Sequence, residues 1–139
     1  MGAVSRERVE TVRRIYEHLA ATRELPAAPF APDFVWDMST FRGWPERPAY
    51  DGFEGAVEFL GDWVGMWDDW EATIEEIHDL GDRVLLVAYQ RGCAKTTGVP
   101  LDMRYAQVWT FRGERLIRTE SYADPAEALE AAGLSPPPR

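Results

Sequence analysis

Asp37 closes the run Phe34-Val35-Trp36-Asp37, and a carboxylate at the end of so bulky a segment is a candidate general base. Held in an apolar cavity, such a group has its pKa raised by desolvation, which suits it to taking a proton from a carbon acid near neutral pH. The alternative is that Asp37 faces solvent or caps the next turn. In segment 101–111 one parity carries Leu101, Met103, Tyr105, Gln107, Trp109 and Phe111, and the other carries Asp102, Arg104, Ala106, Val108 and Thr110. The first set suits the lining of a cavity. It places Gln107 there as an amide able to donate an N–H to a developing enolate, or as a buried Gln satisfied by polar neighbours. Tyr89 and Tyr105 are candidate phenol donors, with core packing as the alternative for each. Arg91 shares parity with Leu85, Val87 and Tyr89. If that face points inward, it brings a cation to the pocket, suited to an anionic or carbonyl substrate. Arg118 and Glu120 lie two residues apart on one face of the last strand, and Glu120 is either a substrate contact or half of a surface pair. His18, His78 and Cys93 have no partners nearby in sequence and read as structural; with no His or Cys cluster, no metal site is expected.

The elements that must position these groups change period along the chain. Over 5–23, Val9, Val12, Ile15, Tyr16, Leu19 and Ala20 recur at spacings of three and four, the pattern of an amphipathic helix with Ser5 as N-cap. Three prolines follow, then a short strand at 34–38 and an irregular connection marked by Gly43, Pro45, Pro48 and Gly52. A second amphipathic helix over 53–68 puts Phe53, Val57, Leu60, Val64 and Trp67 on one side. From residue 70 the period is two, and short turn signals separate segments 70–80, 83–95, 101–111 and 115–123, which predicts an antiparallel meander. Asp124 then caps a final helix over 126–132, with Pro125 at its first position and Gly133 stopping it. Helices first and a long meander last is an α+β arrangement, a curved antiparallel sheet covered by N-terminal helices into a cone. Residues 1–134 read as one domain and 135–139 as a disordered tail.

Composition narrows the partners. The net charge is −9 and the basic residues are scattered singly, so nucleic acid is not an expected partner. No apolar run approaches the roughly 20 residues that span a bilayer, and the charged amino terminus lacks the core of a signal peptide, so a cytoplasmic protein is expected. Six Trp, five Tyr and six Phe are many large rings for 139 residues. Rings are enriched in cores, cavities and interfaces. The six Trp cannot all line one cavity, so some are expected at a homodimer interface.

The order helix, short strand, helix, meander, together with the stretch VPLDMRYAQVWTFRGERLIRTESYADPAEALEAAGL at 99–134, resembles the SnoaL-like branch of the nuclear transport factor 2 superfamily. The resemblance implies a cystatin-like cone and admits isomerases, polyketide cyclases, epoxide hydrolases, dehydratases and proteins that only bind or dimerise. Asp33-Phe34-Val35-Trp36-Asp37 is similar to the segment bearing the ketosteroid isomerase base, and Tyr16 lies one place from that enzyme's expected tyrosine. Gln107 stands where the isomerase has an acid and many cyclase-like relatives have His. An acid two residues after Arg91 would imply epoxide hydrolase chemistry, but Cys93 stands there. The resemblance thus implies a cofactor-independent enzyme that isomerises or cyclises a hydrophobic carbonyl compound. Asp37 is its base, and Tyr16, Tyr105 and Gln107 hold the oxyanion. Arg91 orients polar groups, and Met103, Trp63 and Trp67 form apolar walls. A non-catalytic binding or dimerisation module, and a hydratase or hydrolase in which Asp37 activates water, are the alternatives.

Overall fold

The computed structural model describes residues 2–41 and 47–134, with side chains from residue 6 onward. The elements run α1 (Gly2–Thr22), β1 (Phe30–Asp37), β2 (Ala49–Asp51), α2 (Gly52–Val64), β3 (Trp67–Asp79), β4 (Arg83–Ala94), β5 (Pro100–Arg112), β6 (Arg115–Tyr122) and α3 (Pro125–Ala131). The six strands of the described residues form one curved, unclosed sheet in the order β2-β1-β6-β5-β4-β3. The expected meander is β3 to β6; β1 joins it parallel to β6 and carries the short β2 on its other edge. Among the described residues no helix is long and apolar enough to cross a membrane.

Two layers cover the sheet. On the inner face α1 buries Val12, Ile15 and Leu19, and α2 buries Gly55, Ala56 and Phe59, against Phe34, Trp36, Val84, Leu86, Tyr105, Trp109 and Leu116. Gly55 is required there, since a Cβ would sit 2.8 Å from the Tyr50 backbone. On the outer face α3 lays Ala128 and Leu129 on Leu85, Val87, Ala106 and Val108. Asp124 caps α3 by accepting from the Ala126 amide at 3.0 Å, and Gly133 ends it at φ +78°.

Several expectations shift. Helix α1 begins at Gly2, so Ser5 lies inside it and is not its N-cap. Strand β1 starts at Phe30 despite Pro32, because pairing with β6 is irregular between Phe30 and Val35 and the proline displaces no ladder bond there. Helix α2 stops at Val64: after the last helical bond, from the Gly65 amide to Gly61, the Met66 amide bonds three residues back to the Trp63 carbonyl and the Met66 carbonyl accepts from the Lys95 amide. Trp67 therefore opens β3 instead of closing a helix, and Val57 is exposed. Gly43, Trp44, Pro45 and the tail 135–139 lie outside the described residues.

Candidate functional site

Between α1, α2 and the inner face of the sheet lies a cavity lined by Ile15, Tyr16, Leu19, Leu25, Trp36, Met38, Phe41, Phe59, Leu60, Trp63, Trp70, Gln90, Tyr105, Gln107, Trp109 and Ser121. Its empty space, mouth included, is about 570 Å³, yet the centre of a water-sized sphere can move through only about 50 Å³ of it. The space is narrow. None of these lining side chains carries a charge.

The polar atoms form two small networks, one at each end of β5's run along the cavity. In the first, Tyr16 Oη donates to Gln107 Oε1 at 2.6 Å and the Trp109 indole donates to the same oxygen at 3.1 Å. Tyr16 and Tyr105 hydroxyls are 2.8 Å apart. Since the Tyr16 proton is committed to Gln107, Tyr105 is the donor in that pair. Gln107 Nε2 lies 3.5 Å from Ser121 Oγ, a long bond. In the second network, Trp63 and Trp70 both donate their indole N–H to Gln90 Oε1, each at 2.9 Å. Burial pushes the Tyr16 phenol well above its ordinary pKa, with the neighbouring Tyr105 adding to the rise. Burial likewise raises Tyr105, partly offset by its bond to Tyr16. Both phenols are neutral donors at physiological pH, not bases.

The strand registers explain who faces the cavity. Gln107 stands opposite Leu86 on β4 and Ser121 on β6, and Gln90 stands opposite Met103 on β5, so all of these share the inner face. Of the residues singled out by sequence, Tyr16, Tyr105, Gln107 and Trp63 line the cavity. Met103 packs beside it, and Trp67 lies tilted against Trp63 with ring centres 5.7 Å apart. The Trp67 indole N–H is buried without a partner among the described residues.

Four do not reach it. Asp37 pairs in register with Glu120 on β6, and both lie on the outer face beyond the Trp36–Thr119 pair. Asp37 is only 6% exposed, but its Oδ1 accepts from the Ser39 amide at 2.8 Å and its Oδ2 from the Arg118 guanidinium. Burial alone would raise its pKa; the Ser39 amide and Arg118 outweigh that and hold the carboxyl below its ordinary range. That is the opposite of a base tuned upward by an apolar pocket. Glu120 pairs with Val108 on the outer face, and Arg118 reaches to Asp37 on the neighbouring strand instead of to Glu120. Tyr89 and Arg91 also face outward, since Val84, Leu86, Ala88 and Gln90 are the inner residues of β4. Arg91 lies exposed, 3.3 Å from Glu71.

Sequence reasoning missed Trp36, Trp70, Gln90 and Ser121. Gln90 had a signal, being the polar member of the otherwise apolar parity Val84, Leu86, Ala88. Asp37 had one too, because Phe34, Trp36 and Met38 share a parity that excludes it.

Comparison with known proteins follows this architecture. The family model described as the SnoaL-like domain matches residues 12–119. No curated protein matches the chain significantly. Among solved structures, an NTF2-like protein of unknown function from Burkholderia pseudomallei is 23% identical, with a TM-score of 0.73 over 89% of this chain and 95% of its own. A candidate SnoaL-like polyketide cyclase from Jannaschia is 19% identical, TM-score 0.73, over 99% and 98%. TerC, crystallised with polyporic acid, is 19% identical, TM-score 0.71, over 91% and 98%. Likeness at this identity establishes the fold and leaves the chemistry to the site.

Proposed function

We propose that this chain, which belongs to the SnoaL-like domain family, takes a small uncharged carbonyl compound into its cavity and holds the carbonyl oxygen with neutral phenol and amide donors. The observation that carries this is the lining itself: uncharged among the described residues, with its polar atoms gathered into the Tyr105–Tyr16–Gln107 chain and the Gln90 cluster. A carboxylate or ammonium group brought into such a space loses its hydration and gains no opposite charge, a cost of several kcal/mol. A neutral carbonyl loses far less and is repaid by a donor. At the phenol end, the Tyr105 hydroxyl can exchange its bond to Tyr16 for one to the ligand while Tyr16 keeps Gln107 fixed.

A proton-moving isomerase or cyclase is the second possibility, favoured by the phenol pair, whose donors suit a developing oxyanion. Asp37 is not the base in that case, because its carboxylate lies outside the cavity and is tied to Arg118. A hydratase or hydrolase using Asp37 to activate water meets the same objection.

The test is a thermal-shift screen of aromatic ketones, quinones, phenols and aromatic acids. A ligand at about 100 times its Kd adds about 2.7 kcal/mol. Neutral carbonyl compounds are expected to raise Tm and matched carboxylic acids to leave it unchanged; equal shifts from both contradict the proposal. Exchange of the ligand's α-protons in deuterium oxide, seen with the wild type and lost in Tyr105→Phe, would favour the enzymatic possibility over simple binding.

A further inference from the structure

The two cavity glutamines cannot be turned either way. An indole N–H only donates, so the atom of Gln90 that meets both Trp63 and Trp70 must be its oxygen, and the same holds for Gln107 against Trp109. Flipping either amide would set buried donors against an NH2 group and leave them unsatisfied. With Oε1 carrying two donors in each case, each amide is left only its nitrogen to offer. Gln90, 2% exposed, makes no hydrogen bond through Nε2 among the described residues. Gln107 spends one N–H on the long contact to Ser121 and keeps the other. Gln90 faces Met103, four residues before Gln107 on β5, so the two amides stand roughly 13 Å apart along the strand. Tyr105 lies between them.

We infer that the ligand is an elongated, flat molecule with a hydrogen-bond acceptor oxygen at each end, one received by the Gln90 amide N–H and the other by the Gln107 amide N–H with Tyr105. This rests on the neutral-carbonyl binding proposed above and narrows it to dicarbonyl compounds. The indoles act as clamps: Trp63 and Trp70 at one end, Trp109 and Tyr16 at the other, each pair saturating a glutamine oxygen so that only a donor faces the ligand. The narrowness of the cavity favours a fused-ring body between the two acceptors.

The probes are four naphthalenes that differ only in their end groups, titrated into the full chain and followed by Trp fluorescence. They carry an acetyl group at each end, an acetyl at one end only, an acetyl at one end and a hydroxyl at the other, or methyl groups alone. The diacetyl compound is expected to bind about tenfold more tightly than the mono-acetyl compound, the effect of one added hydrogen bond. Gln90→Glu keeps an acceptor for both indoles but puts an oxygen where the amide nitrogen stood; it should reverse the preference between the diacetyl and the acetyl-hydroxyl compounds. The wild-type series stands by itself if that variant does not fold. Equal affinity of the diacetyl and mono-acetyl compounds, both tighter than the dimethyl compound, overturns the two-acceptor inference while leaving the carbonyl-binding proposal intact; a dimethyl compound that binds as tightly as either overturns both. No binding by any of the four overturns the proposed function and the inference with it.

Discussion

The two faces of the same sheet are built from different chemistry. On the inner face the polar atoms are neutral and held by rings: Gln107 by Trp109 and Tyr16, Gln90 by Trp63 and Trp70. On the outer face away from α3 they are ionic and mostly wet, with Asp37 on Arg118, Arg91 on Glu71 and Arg104 on Glu75. One residue step along a strand moves a side chain from one regime to the other. The difference teaches that a carboxylate at the edge of an aromatic strand is not thereby in the pocket that strand lines.

The largest effect is expected on the inner face. Trp109→Ala empties a site that is 1% exposed and strips Gln107 of a donor; a loss of about 3–5 kcal/mol is expected, read as a lower midpoint in urea unfolding. Next in size is Asp37→Asn, which leaves Arg118 without its carboxylate and should cost about 1–3 kcal/mol at neutral pH. Because the folded carboxyl is held below its ordinary pKa, that stabilisation is present above the unfolded value near 4 and is lost as pH falls through the lowered folded value. The gap between wild type and variant should therefore close on acidification. Tyr16→Phe removes the bond to Gln107 and the acceptor of the Tyr105 hydroxyl and should cost about 1–2 kcal/mol. The raised phenols make the folded form hold its protons longer than the unfolded chain. Stability is thus unaffected by these groups below about pH 10 and declines above it, less steeply in Tyr16→Phe. Arg91→Ala, at an exposed pair, should leave the unfolding midpoint unchanged within error.

Much of the fold was legible in the sequence because its periods are clear. β5 could be read residue by residue, since Asp102 and Arg104 mark its outer face against Met103, Tyr105 and Gln107. β4 could not, because α3 covers Leu85 and Val87 as thoroughly as the inner core covers Val84 and Leu86. A strand buried on both faces has no polar parity to read, and Tyr89 and Arg91 were carried inward with it. The end of α2 was misjudged for a different reason. The apolar residues Leu60, Val64 and Trp67 keep helical spacing, while the backbone leaves the helix at Met66, whose carbonyl bonds to the Lys95 amide, and Trp67 pairs with Ala94 on β4. At the site, Gln107 and the phenols followed from β5 parity and from the family resemblance. Gln90 was legible in its β4 parity, but the place of Trp70 beside it depended on a β3–β4 register with irregularities at Asp68/Glu71, which no local pattern announces.

The most direct test of an uncharged site with Asp37 outside it is a calorimetric titration of one neutral aromatic ketone into the wild type, Asp37→Asn and Gln107→Glu. Asp37→Asn is expected to bind with the wild-type affinity and Gln107→Glu, which still accepts from Trp109 and Tyr16 but offers the ligand no amide N–H, about tenfold more weakly. Loss of binding in a folded Asp37→Asn, with Gln107→Glu unaffected, would contradict that placement.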